Sequence, residues 1–106
     1  MTTTKSKNTI TLEVIAQKTR PVFEKYGFSK VGIFGSRARG DNQNDSDVDL
    51  LFSSRGNNFG YTQKQEAQEE LENILGVGVD LVPDTKVVAR MRPFIMADLK
   101  IIYEKQ

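Results

Sequence analysis

Apolar side chains recur at helical spacing in the first quarter of the chain. Leu12, Ile15, Ala16, Thr19, Phe23 and Tyr26 form one stripe of an amphipathic helix. Thr9 precedes the stripe as an N-cap, and Gly27 follows it as a stop. Pro21 predicts a kink or split near Arg20. Next comes a short apolar run, Lys30–Phe34, which reads as a strand. The small residues Gly35 and Ser36 then predict a tight strand-to-helix turn ending at Gly40. After a polar loop over 41–45, residues 46–52 alternate and then turn apolar, which predicts a second strand.

Residues 53–60 form a Gly/Asn/Ser-rich loop. Beyond it, Thr62 and Gln65 suit the start of a helix, with Ala67, Leu71, Ile74 and Leu75 as its buried face and Gly76 as its stop. Residues 77–82 read as a third strand with Asp80 in the middle, ended by Pro83. Thr85 is placed to cap a short helical stretch, and Pro93 to start another through Asp98. Ile101–Tyr103 suits a last edge strand. This order predicts an α/β protein of α+β type, a small mixed β-sheet with helices packed on it. The first two strands should be antiparallel. The unit from Asp47 to Asp80 should be a parallel strand-helix-strand with a right-handed crossover. Residues 1–8 are polar and read as a flexible tail, leaving one domain over 9–106.

Composition narrows the chemistry. The chain has 106 residues, 38% of them apolar, enough for one modest core. Cysteine and histidine are both absent. That excludes disulfides, thiolate zinc sites, thiol nucleophiles, Ser-His-Asp triads and histidine acid–base chemistry. Carboxylates, hydroxyls, Lys, Arg, backbone amides and a hard metal held by oxygens remain. The polar N-terminus has no apolar core of a signal peptide, so the cytoplasm is the expected location. The net charge is +1, but residues 1–40 carry +6 and residues 41–106 carry −5. The basic half could face an acidic ligand or partner, or simply solvent.

The candidate chemistry lies at two places. Asp47 and Asp49, two apart on a strand, would point to one face about 6.6 Å apart along the chain. Asp80 interrupts an otherwise apolar strand, Val79 to Val82. If the two strands are neighbours, three carboxylates meet on one face, a donor set suited to Mg²⁺ or Mn²⁺. Gly35 and Ser36 open a helix and so make a phosphate cradle, with Arg37 and Arg39 adding positive charge. Each element alone is commonplace. Their combination reads as a metal–triphosphate site.

Gly35-Ser36-Arg37-Ala38-Arg39-Gly40, then five residues, then Ser46-Asp47-Val48-Asp49-Leu50-Leu51, resembles the motif of the DNA polymerase β-like nucleotidyltransferase superfamily. More narrowly it resembles the minimal nucleotidyltransferases, the MntA-type antitoxins paired with HEPN-domain toxins. The resemblance spans about residues 10–103; the tail and residues 55–60 are not diagnostic. It implies that Asp47, Asp49 and Asp80 hold two Mg²⁺ ions (Mn²⁺ being possible), and that Asp80 helps deprotonate the acceptor hydroxyl. Gly35 and Ser36 would contact the triphosphate of ATP, and Arg39 would brace the turn or touch phosphate. The implied activity is transfer of AMP from ATP to a tyrosine of a HEPN ribonuclease toxin. Two other readings stay open, neutralisation of the partner by binding alone and transfer to a small-molecule hydroxyl. Nucleic-acid binding alone is disfavoured by the near-zero net charge and the lack of aromatic-basic interleaving.

Overall fold

The computed structural model describes residues 10–54 and 60–105. The tail and the Thr9 cap lie outside the described residues, as does most of the 53–60 loop. The elements follow the order α1 (Leu12–Lys25), β1 (Phe28–Phe34), α2 (Ser36–Arg39), β2 (Val48–Ser54), α3 (Tyr61–Leu75), β3 (Val79–Pro83), a 3-10 turn (Asp84–Lys86), α4 (Arg92–Asp98) and β4 (Lys100–Glu104). The sheet has four strands in the order β3-β2-β1-β4. β1 is antiparallel to β2 and β4, whereas β2 and β3 are parallel. The small mixed sheet therefore stands as read from the sequence, and β4 is indeed an edge.

One face of the sheet carries the core. Val31, Ile33, Leu50, Phe52, Leu81 and Tyr103 meet Ile15 and Phe23 of α1 and Ala67 and Leu71 of α3. Aromatic rings run through it, with Phe28 stacked 4.7 Å from Phe52, and Phe23 5.4 Å from Tyr103. α1 and α3 are also tied at the surface. Glu70 accepts from the Tyr26 hydroxyl at 2.6 Å and from Lys25 Nζ at 2.8 Å. These partners hold its carboxyl below the usual range and push the Tyr26 hydroxyl up to about 12.

Several local expectations need correction. The side chain that caps α1 is Thr11, whose hydroxyl accepts from the Val14 amide at 3.1 Å. Pro21 does not split α1, which is continuous through it. The bond that proline removes would have reached the Gln17 carbonyl, and Gln17 and Pro21 are both exposed, so water can replace it. At α3 the N-cap is Gly60, whose amide donates to Gln63 Oε1 at 2.9 Å, two residues earlier than the Thr62/Gln65 pairing. Ile74 is 37% exposed, because α3 turns only Ala67, Leu71 and Leu75 to the sheet. Thr85 sits inside the 3-10 turn, and Pro83 precedes it.

Candidate active site

The N-terminal ends of β2 and β3 and the C-terminal end of β1 come together at one end of the sheet. Asp49 pairs with Phe34 of β1 on one side and with Asp80 of β3 on the other. Cross-strand partners share a face, so both carboxylates project from the same surface. That surface is the one opposite the core, since Leu50 and Leu81, next along the strands, are buried. Asp80 is exposed and Asp49 half-buried.

Asp47 reaches the group differently from the expected strand spacing. β2 starts at Val48, so Asp47 is the last residue of the preceding loop. It lies against the turn before β3 instead. A Cβ on Gly78 would come within 2.5 Å of Asp47 Oδ1, and the Val48 amide donates to the Gly78 carbonyl at 2.9 Å. On the other side, a Cβ on Gly35 would fall inside the van der Waals shell of Asp49 Oδ2. Two glycines thus leave room beside two of the three carboxylates.

Gly35 also starts the turn. Its φ of +79° and ψ of −158° belong to a region that only glycine occupies readily. Its carbonyl accepts from the amides of Ala38 and Arg39, both at 3.1 Å. The amides of Ser36 and Arg37 come before that first helical bond and are donors of the kind a helix leaves without an internal partner. Gly35 therefore lies against Asp49, with Ser36 next in the chain. Arg39 is engaged on the protein itself, through Asp41 at 3.1 Å and Asp98 at 2.8 Å. It braces α2 against α4 across 59 residues of sequence.

Sequence reasoning had Arg37 add positive charge to the phosphate cradle, and the structure turns its guanidinium onto backbone carbonyls instead. Arg37 is 5% exposed. Its Nε and Nη2 donate to the Ser46 carbonyl at 3.0 and 2.8 Å, and Nη2 donates to the Asn44 carbonyl at 3.1 Å. The guanidinium fork therefore clamps the loop that ends at Asp47. The only signal in the sequence was an arginine preceding a polar loop too short to hold itself. Arg37→Met removes the fork and leaves part-buried carbonyls without this donor, with an expected loss of about 1–2 kcal/mol in urea unfolding. Arg37→Lys, which keeps the charge without the planar fork, should recover less than half of that. A wild-type midpoint for Arg37→Met would show that the clamp has no structural weight.

Electrostatics favour a cation on this face. The Asp49 carboxyl is held above the ordinary carboxylate range, first by burial and then by the charges of Asp80 and Asp47, with Arg39 opposing. Among the described residues, no three acidic side chains are drawn together tightly enough to ligate an ion as they stand. Mutual repulsion works against such closure when no cation is present. The donors are hard oxygens gathered at one end of the sheet, so the residues fit a divalent ion of the Mg²⁺ or Mn²⁺ type. A cavity of about 350 Å³ lies at the other end of β2 and β3, around Phe52, Tyr61, Lys64 and Pro83. Its lining holds no carboxylate and cannot serve this chemistry.

The raised Asp49 pKa carries a sign for stability. The folded state binds this proton more tightly than the unfolded chain does. Ionised Asp49 therefore destabilises the fold above its raised pKa, and the penalty fades as pH falls through it. In metal-free buffer, Asp49→Asn should melt higher than wild type by a few degrees at about pH 8, and no higher at about pH 3. Thermal unfolding across that range checks it; a variant that melts lower at the alkaline end refutes it.

Comparison with known proteins gives the family. Residues 17–103 match the family model of the nucleotidyltransferase domain. The chain belongs to that family. The nucleotidyltransferase is 34% identical over 71 residues to MJ1379 of Methanocaldococcus jannaschii, a candidate protein adenylyltransferase, covering 66% of this chain and 71% of the relative. A solved structure of a candidate minimal nucleotidyltransferase superposes with a TM-score of 0.71 at 28% identity, covering 87% of this chain and 96% of the other. A third neighbour is an MNT antitoxin in complex with the tri-AMPylated HEPN toxin of Shewanella oneidensis, with a TM-score of 0.68. At 15% identity over 90% of this chain and 74% of that one, it shares the fold. No helix among the described residues is long and apolar enough to cross a membrane.

Proposed function

We propose that this nucleotidyltransferase moves AMP from ATP to a hydroxyl of a partner protein, and that the acceptor is a tyrosine of a HEPN-domain ribonuclease toxin. The observation that carries the reading is the pairing of Asp49 with Asp80 on one face, with Asp47 beside them and Gly35 against Asp49. Relatives support the protein acceptor. MJ1379 is a candidate protein adenylyltransferase, and a structural neighbour accompanies an AMPylated HEPN toxin.

Asp47, Asp49 and Asp80 would hold two Mg²⁺ ions, with Mn²⁺ as a substitute. When bound, such ions neutralise phosphate charge and raise the acidity of the attacking hydroxyl. Gly35 gives the triphosphate a close approach to the backbone, and Ser36 adds its amide and hydroxyl. Arg39 braces the turn by holding Asp98 and Asp41. The acceptor oxygen forms a bond to the α-phosphorus, the bond from that phosphorus to the β-bridging oxygen breaks, and pyrophosphate leaves. Asp80, the most open of the carboxylates on the strands, takes the hydroxyl proton. The added phosphate places a negative charge on the toxin and repels RNA.

The reading is tested by intact mass. The proposed HEPN-domain acceptor, incubated with the chain, ATP and Mg²⁺, should gain one or more AMP units. An unchanged mass in a stable complex would replace transfer with neutralisation by binding.

A further inference from the structure

The face of the sheet that bears the carboxylates is also the face on which α4 lies. Gly32 pairs with Leu51, and a Cβ on Gly32 would meet Leu99 Cδ1 at 2.5 Å. Two residues on, and so on the same face, Phe34 pairs with Asp49. The C-terminal end of α4 is anchored to the phosphate turn through Asp98 and Arg39. α4 thus flanks the candidate site directly.

α4 is poorly covered. None of its residues is buried, and a cavity of about 80 Å³ remains beneath it, between Met96, Leu99, Gly32 and Leu51. Seven large apolar side chains are exposed among the described residues, and five of them lie here: Val88, Met91, Phe94, Met96 and Ile101. Phe94 is 70% exposed. A monomer does not ordinarily collect its exposed apolar groups in one place. Around them stand Lys86, Arg90 and Lys100, all exposed and with no ion pair among the described residues.

We infer that the outer surface of α4 and the adjoining edge at Ile101 dock the protein that carries the acceptor hydroxyl, and that this partner presents an apolar centre ringed by acidic side chains. The inference rests on the adenylyl-transfer reading above and adds to it where the partner sits. An apolar centre with a cationic rim is the anatomy of a protein interface. The unpaired cations call for acidic groups opposite. A nucleic-acid surface would instead put the cations at the centre, and Phe94 is the one exposed aromatic ring among the described residues of this patch. A partner seated on α4 brings its hydroxyl to the end of the sheet where Asp49 and Asp80 lie.

The test uses the HEPN-domain acceptor proposed above and two variants, Phe94→Ser and the double variant Arg90→Glu, Lys100→Glu. Each should weaken the complex about 10–100-fold. The KM for the acceptor should rise, while binding of Mn²⁺-ATP to the free chain stays at the wild-type level. The charge reversal should act mostly through the association rate and its salt dependence. Wild-type affinity in both variants would overturn the docking surface and leave the transfer reading standing. No complex with the wild-type chain would overturn both. Binding of a single-stranded RNA lost through the same substitutions, with the protein complex intact, would assign the surface to nucleic acid and overturn the proposal.

Discussion

The Asp47→Asn, Asp49→Asn double variant will fold and will transfer no measurable AMP. Metal-assisted charge stabilisation is worth several kcal/mol in such reactions, so the rate should fall by about three orders of magnitude or more. The fold should not suffer. Asp47 is exposed, ends a loop and contributes no side chain to the core. Asp49 is a half-buried, mutually repelled carboxylate whose neutralisation relieves the sheet end. Asparagine preserves the shape beside Gly35 and Gly78. Activity measured with Mg²⁺-ATP, together with a thermal melt of the same sample, separates loss of chemistry from loss of structure. A folded double variant with wild-type transfer would remove the carboxylates from the mechanism.

The second large effect belongs to Gly35. Gly35→Ala meets two penalties. Its backbone conformation costs a non-glycine residue about 1–3 kcal/mol. The new methyl also collides with Asp49 Oδ2, so the carboxylate must turn away from the turn to admit it. Gly40→Ala provides the control. Gly40 also has a positive φ, +88°, but nothing lies within 4 Å of its Cβ position. It should lose about 1 kcal/mol of stability and keep its activity. Gly35→Ala should lose more stability, and should lose transfer about 100-fold at temperatures where the variant is still folded. Equal behaviour of the two variants in urea unfolding and in transfer would mean that the contact with Asp49 has no consequence.

Much of the fold was legible because it is written in local periods. The stripe from Leu12 to Tyr26 and the apolar runs ending at Phe34 and Phe52 gave the main elements. The β2-β3 orientation followed from the helix that connects the two strands, and the β1-β2 orientation also stands as read. Element ends were less legible. Thr9 and Thr11 are equally good caps on paper, and Gln63 and Gln65 both stand near the start of α3. Ile74 fits the apolar stripe of α3, yet α3 buries only Ala67, Leu71 and Leu75.

At the site, residue types were readable and their arrangement was not. Asp47 and Asp49 look like strand neighbours, whereas Asp47 belongs to a loop held by Arg37 and met by Gly78. That depends on where β2 begins, which is set by its pairing with β3 thirty residues on. The burial of Arg37 runs against what arginine usually does. The Arg39–Asp98 pair joins distant segments, which no local pattern encodes. The open surface of α4 is visible only once α4 is placed on the sheet.

The most direct measurement follows the two ends of ATP. The chain is incubated with the HEPN-domain protein, Mg²⁺ and ATP labelled at either the α- or the γ-phosphorus. The α-label should become covalently bound to the partner, the γ-label should leave as pyrophosphate, and both events should vanish in the Asp47→Asn, Asp49→Asn variant. Covalent γ-label on the partner, or a silenced partner carrying neither label, would contradict AMP transfer.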